Sequence, residues 1–381
     1  MSGAGLVVAV AGLGFGAEFV PIYRRHPEVA DVVLVEPDAA RRAAAAERFG
    51  LGPGCADVAD VLADPRVDAV HLLAPVPLHA DLAVAVLEAG KHCASAVPAA
   101  TSLEDLDRLV AAERASGRSY MMMETTVYAR ELLAVREMHE RGELGEPTLY
   151  RGCHLQQLDG FPVYWQGFPP MHYATHALAP VLSLLGTTVE RVSARGAGRL
   201  TPERRTGGFD NPFPAEAGLF ALRGSDVLAD VTVSFFQTAR SYVEGFCLYG
   251  DRRGVEWPED NEGDLTVHDM SGPAPGSRGN RVVTRRLAPR DRPELLPEPL
   301  RPFVRPTEVH LPGAPAPTRV GADHGGSHPF LVDEFVRSAV EGRPAAVDAR
   351  TAAAWTAPGV CAHTSALEGG RWVEVPDYRS S

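Results

Sequence analysis

Three side chains in the stretch DGFPVYWQGFPPMHYATHALAPVLSLLG can move protons: His172, Tyr173 and His176. An imidazole titrates near neutrality and serves as general base or acid, and a tyrosine joins it when a neighbouring charge lowers its pKa. The same stretch carries Tyr164 and Trp165, whose flat faces either stack on the CH surfaces of a ligand or pack in a core. His172/His176 and His324/His328 are each spaced i, i+4, which would align a pair on one helix face and raises the question of a metal. Gly325, Gly326 and Pro329 make the second pair a loop or a helix cap, and no metal is expected. Lys91 is the only lysine of the chain, at the head of the apolar segment KHCAS and pointing away from any site. Proton chemistry therefore falls to histidine or tyrosine.

A second constellation binds rather than reacts. LVVAVAGLGFGAEF gives Gly12-x-Gly14-x-x-Ala17 between an apolar run and a helix, with Leu13, Phe15 and Gly16 completing the loop. Such glycines permit a tight turn and let backbone amides approach a pyrophosphate, which the helix start also favours. Glu36, in VVLVEPD, stands about twenty residues on, where a carboxylate holds both ribose hydroxyls and repels a 2′-phosphate, so NAD is expected over NADP. Arg41, placed beside that ribose, and Arg42 are the counter-signal, unless they are solvated charges on a helix face.

These groups need a scaffold. Apolar runs at Leu6–Val10, Val32–Val35, Ala69–Leu73, Lys91–Ser95 and Ser119–Met123 alternate with amphipathic segments, the pattern of a doubly wound parallel sheet. Asp38 is the expected cap of AARRAAAAERF, which stops at Gly50, and Ser102 with Asp105 caps the helix ending near Gly117. Beyond SYMMME the rhythm becomes β-rich: Thr148–Leu155, Val189–Ala197, Ala217–Leu222, Val227–Ala239 and Val243–Tyr249. The expected fold is thus an α/β Rossmann domain over 1–125 and an α+β domain with a large, mainly antiparallel open sheet over 126–381. A Pro/Arg-rich stretch, 271–323, reads as a surface excursion from the second domain, and helices near Pro329–Glu341 and Ala349–Leu367 close the chain.

GLGFGAEF, APVPLHADLAVAVLEAGKH and VPAATSLEDLDRLV resemble the Gfo/Idh/MocA oxidoreductases. That resemblance implies NAD in the first domain, a second domain whose sheet covers the nicotinamide, and Ala74, Pro75, Val76 and His79 along the cofactor cleft. It places Ala96, Val97 and Pro98 where the family carries Glu-Lys-Pro, whose lysine positions a sugar hydroxyl and shuttles its proton; valine cannot do so. The helix with His176 usually carries an Asp four residues earlier, where His172 stands. VPAATSLEDL, MMMETTVYARELLAV, YATHALAPV and DHGGSHPFLVDEF resemble one branch, the NAD-dependent retaining glycosidases known as α-N-acetylgalactosaminidases. For that branch the resemblance implies transient oxidation at sugar C3, acidification of the C2 proton, elimination of the aglycone, water addition and re-reduction. Carried over, His176, Tyr173 and Tyr128 are the proton-transfer residues and Glu124 a substrate contact, with Thr125 in the place of Asn. Trp165, His172 and His324 are further substrate contacts, the two histidines suited to an anionic or modified sugar. Ala96 leaves no carboxylate to protonate the leaving group.

Bulk properties bound the rest. With 381 residues, 45% hydrophobic and 23% charged, the chain suits two globular domains. A net charge of −12 argues against a nucleic-acid partner, and no run of about eighteen apolar residues offers a membrane span. Five scattered cysteines and an N-terminus without a basic n-region point to a cytoplasmic protein with reduced thiols. The expected partner is a small-molecule sugar or glycoside, and the family's open sheet implies a homo-oligomer, dimer or tetramer. Three functions stay open: a redox-assisted glycoside hydrolase, an NAD-dependent sugar dehydrogenase or ketoreductase with His176 for the lysine, and an inactive NAD-binding regulatory protein.

Overall fold

The computed structural model describes residues 5–258, 263–273, 275–276 and 278–379; the outer ends of both expected domains, and residues 274 and 277 of the expected excursion, lie outside the described residues. The chain forms two compact units, Met1–Ala129 with Asp291–Ala353, and Arg130–Arg290 with Ala354–Ser381.

Among the described residues the main sheet of the first unit has five strands: β1 (Leu6–Ala11), β2 (Val29–Val35), β3 (Ala69–Leu72), β4 (His92–Ser95) and β5 (Tyr120–Met122). They are all parallel, in the order β2-β1-β3-β4-β5. β3, β4 and β5 are buried along their whole length, as a sheet covered on both faces requires. The connections run through α1 (Val20–Arg25), α2 (Ala39–Phe49), α3 (Val58–Ala63), α4 (His79–Glu88) and α5 (Leu103–Ser116). Both expected caps form. Asp38 accepts from the amides of Ala40 and Arg41, Ser102 from that of Asp105, and both helices stop at a left-handed glycine, Gly50 and Gly117.

The stretch 271–323 divides in the structure. Its first part forms paired edge strands in the second unit, and residues from Asp291 onward join the first unit rather than the second. Arg24 donates to Pro312 O, His26 Nε2 meets Asp333 Oδ1 at 3.2 Å, and Glu113 accepts from the Ala349 amide, which ties the returning chain down. Sequence reading missed this because NRVVTRRL is exposed at every residue but the last, and long-range returns leave no local signal.

The second unit is built on a nine-stranded sheet. After α6 (Arg130–Glu140) come β6 (Pro147–Leu155), α7 (Thr175–Leu185), β7 (Val189–Ala197), β8 (Ala215–Leu222), β9 (Leu228–Ser234), β10 (Val243–Gly250), β11 (Arg253–Glu256), β12 (Leu265–Pro273) and β13 (Asn280–Leu287). The order is β13-β12-β11-β10-β6-β9-β8-β7, closed by the short Val373–Glu374 strand, and among the described residues only β6–β9 is parallel. α7 lies directly on β6. A Cβ at Gly152 would sit 2.3 Å from Ala177 O, and Tyr150 Oη donates to that same carbonyl at 2.6 Å. Tyr150, Gly152 and His154 share one face of β6 by the two-residue strand period, so seating α7 over Gly152 brings His176 above His154.

Candidate functional site

In the first unit the loop after β1 is shaped as dinucleotide binding needs. Gly12 has φ +95°, and a Cβ there would meet Leu73 O at 2.4 Å, so only glycine turns the chain this close to β3. A Cβ at Gly14 would meet nothing within 4 Å, leaving open space above the loop. The close strand–helix packing falls at Gly16, whose Cβ would touch Leu73 and Val10 side chains, rather than at Ala17. A short 3₁₀ turn, Gly16–Glu18, precedes α1, because Pro21 favours the first turn of the α-helix that starts there. Leu13 is buried while Phe15 is exposed.

Glu36 is buried at the end of β2. Its Oε2 accepts from the Leu13 amide at 2.8 Å, and its Oε1 accepts from the Asp38 amide at 3.1 Å and from Arg41 Nη1 at 3.2 Å. Arg42 Nη1 donates to the Glu36 carbonyl. Both arginines that argued for a 2′-phosphate are thus engaged by Glu36 itself. The fit to NAD is good: an acid at the loop and two glycines where the backbone must stay bare. His79, at the head of α4, has Nδ1 2.8 Å from Pro98 O and Nε2 2.9 Å from Ala74 O, so it joins the turn after β3 to the turn after β4. Ala74, Pro75 and Val76 form the first of these turns, Ala96 and Val97 the second, and Val97–Pro98 is cis. Val97 is buried and apolar. Lys91 is engaged by backbone: its Nζ donates to Asp64 O and Val67 O at 2.8 and 2.7 Å.

Three other expected site residues lie in this unit. Glu124 is fully buried, and its Oε1 accepts from the Thr126 amide and hydroxyl, which caps the turn Thr125–Tyr128. Tyr128 stacks on Phe330 with ring centres 6.4 Å apart. His324, at φ 52°, has Nδ1 3.2 Å from His328 Nε2 and its ring edge on Phe15. A residue expected at the substrate and one expected at the cofactor therefore meet.

In the second unit His176 and Tyr173 are brought together, with ring centres 4.8 Å apart. The structure adds three partners that sequence reasoning missed. His154 stacks on His176 at 5.2 Å, Glu244 Oε2 lies 3.9 Å from His176 Nδ1 and 4.0 Å from His154 Nδ1, and Tyr242 Oη donates to Glu244 at 2.8 Å. Glu244 and His154 are direct cross-strand partners on β10 and β6. The only sequence signal was a histidine in inward register with Tyr150 and Gly152, because pairing between strands so distant in the chain is not written locally. Trp165 packs edge-on against Tyr173 and Phe235, walling one side of this cluster. His172 faces elsewhere. Its ring meets His363 and Phe168, and burial, then His363, pushes its pKa down to about 3.

A parallel sheet with a glycine turn after its first strand and a buried acid closing its second defines a dinucleotide-binding Rossmann domain. Residues 6–124 match the family model of the oxidoreductase family, NAD-binding Rossmann fold, and are a Gfo/Idh/MocA domain. Glycosyl hydrolase family 109 protein 1 of Bacteroides thetaiotaomicron is 30% identical over 128 residues, 31% of this chain, and the match spans only 27% of that protein's length. A glycosyl hydrolase family 109 protein of Streptomyces niveus is 24% identical over 414 residues, covering 97% of this chain and 77% of that protein. A solved levoglucosan dehydrogenase, in complex with NADH and levoglucosan, shares the fold with TM-score 0.76 at 20% identity, over 98% of this chain and all of that one. Among the described residues no helix is long and apolar enough to cross a membrane, and no group of three or more His, Cys, Asp and Glu side chains is arranged to hold a metal ion.

Proposed function

We propose that this chain is an NAD-dependent sugar enzyme that works as a redox-assisted glycoside hydrolase, with NAD held by Gly12, Leu13, Gly14, Phe15, Gly16, Glu36 and the turns at 74–76 and 96–97. The observation that carries this reading is the cluster His176, His154, Tyr173, Tyr242 and Glu244, in a chain whose Val97 offers no proton. Bound NAD supplies a reversible two-electron acceptor for the sugar's C3 carbon. His176, with the Glu244 carboxylate near its Nδ1, takes the C3 hydroxyl proton, and the resulting imidazolium is stabilised by that carboxylate. A C3 carbonyl acidifies the C2 proton, and Tyr173, against the charged His176 ring, is the group that removes it. Elimination then expels the aglycone, water adds to the enone, and the proton on His176 returns as C3 is reduced. Two proton transfers on one sugar ring call for two acid–base groups, which the cluster has; a simple alcohol oxidation needs one.

Ala96 has no proton to give, so the aglycone departs as an anion and the rate follows its acidity. Trp165 stacks on the sugar. The test is a panel of aryl glycosides of both anomers with catalytic NAD. Release of phenol without net NADH supports hydrolysis, with the most acidic phenols fastest. Steady NADH accumulation from free sugars would instead make the chain a dehydrogenase using His176 as base.

A further inference from the structure

A second carboxylate–histidine pair lies in the same unit, outside the proton-transfer cluster. Glu216, on β8, is fully buried, and its Oε1 lies 2.7 Å from His363 Nδ1, on the helix Ala349–Leu367. Its Oε2 accepts from the Met171 amide at 2.8 Å. Pro169 and Pro170 have no N–H, so Met171 carries the first free donor of the turn Pro170–Tyr173, and nothing within that turn can take it. The other side of Met171 is fixed as well. Its carbonyl accepts from Ala174 N at 3.0 Å and lies so close to the Ala349–Leu367 helix that a Cβ at Gly359 would come within 2.1 Å of it. Gly359 and His363 are one helical turn apart, so one helix reaches Met171 from both sides, directly at its carbonyl and through Glu216 at its amide. That turn delivers Tyr173 and, at the start of α7, His176.

We propose that Glu216 and His363 are positioning residues: they fix the turn Pro170–Tyr173 and thereby the orientation of Tyr173 and His176 toward Glu244. The proposal rests on the reading that these two side chains move the protons. The geometry carries the proposal: one oxygen of Glu216 holds His363 and the other holds a backbone amide two residues from Tyr173, so the pair is tied to that turn as well as to the sheet and the last long helix. His172 completes the arrangement as packing. It is neutral, edge-on to His363, and its buried Nδ1 makes no hydrogen bond.

The test uses the full chain with NAD bound. Glu216→Gln keeps the shape and one acceptor for Met171 but loses the charge. His363→Asn keeps a donor near the place of Nδ1, and His363→Phe removes it. Expected are a fall in kcat of about 10²-fold for Glu216→Gln and His363→Phe, an unchanged KM, and recovery in His363→Asn. The ring-proton titration of His176 by NMR, assigned with His176→Phe, should shift to lower pH in Glu216→Gln as the imidazole drifts from Glu244. NADH affinity, read by fluorescence, should not change. An unmoved His176 titration in a folded Glu216→Gln protein overturns the proposal, as does equal behaviour of His363→Asn and His363→Phe. Should the wild type cleave no glycoside and oxidise no sugar, the functional reading fails, and the His176 titration still decides the positioning role by itself.

Discussion

Each unit sets a pair of histidines against a carboxylate, and the two pairs are prepared for opposite ends. In the second unit His154 and His176 stack over Glu244, which a tyrosine hydroxyl also holds. In the first unit His324 and His328 touch ring to ring, and His328 Nδ1 lies 3.8 Å from Glu18 Oε2. Burial there, then His324 and His71, pushes the His328 pKa well down, while burial and Asp323 push Glu18 up to about 7. A carboxylate already drawn toward its neutral form offers an imidazolium little. Phe15 and Phe19 pack on His328 as on any other ring. The residue type is the same in both places; on the proposed reading the neighbours decide whether it stores a proton or fills space.

The sharpest break of this comparison is at the second pair. His176→Phe keeps a ring of similar volume and removes the base, so turnover should fall by about 10²–10⁴-fold while NAD stays bound. Steady-state rates with a fluorescence measurement of bound NADH check it, and near-normal turnover would take His176 out of the mechanism. Glu244→Gln comes next. The neutral amide no longer favours the imidazolium, so the acid limb of the kcat profile should move to lower pH by about one unit. A limb that stays put would mean that Glu244 serves only Tyr242.

How much of this was legible depends on range. The Rossmann half was plain in sequence because its signals are local: a glycine turn, the Asp38 and Ser102 caps, and continuous apolar strands. His176 and Tyr173 were legible because they are three residues apart on one turn and helix start. Glu244 and His154 were not, since only the register of β10 on β6 makes them neighbours. Glu216 was equally hidden, its contacts coming from a strand, a turn and the last long helix. The i, i+4 histidine spacings misled in an instructive way. His324 and His328 do meet, but His172 and His176 point to different partners, because a 3₁₀ turn ends and α7 begins between them.

The first pair yields smaller effects. His328→Phe replaces one buried ring by another among Phe15 and Phe19, so the stability loss should stay below about 1.5 kcal/mol in denaturant unfolding, with turnover within a few-fold of wild type. A collapse of turnover would show that the pair in the first unit also handles protons, and the contrast between the units would fail.

Glu18 gives the finest test, because its effect is a slope rather than a loss. Its pKa rises from an ordinary value of 4.5 to about 7 in the fold, with burial first and Asp323 second as causes. The folded state therefore binds more protons than the unfolded chain between those two values. Stability from this group is fully present below about 4.5 and is lost as pH rises through about 7. Glu18→Gln cannot ionise, so the decline of Tm across that window should flatten, while Tm at pH 4 changes little. The side chain is partly exposed, which screens the effect and keeps it small. An unchanged Tm profile would mean that Glu18 is ionised at neutral pH, and the contrast between the two pairs would lose its electrostatic half, because His328 is buried to a similar degree as His154 and His176.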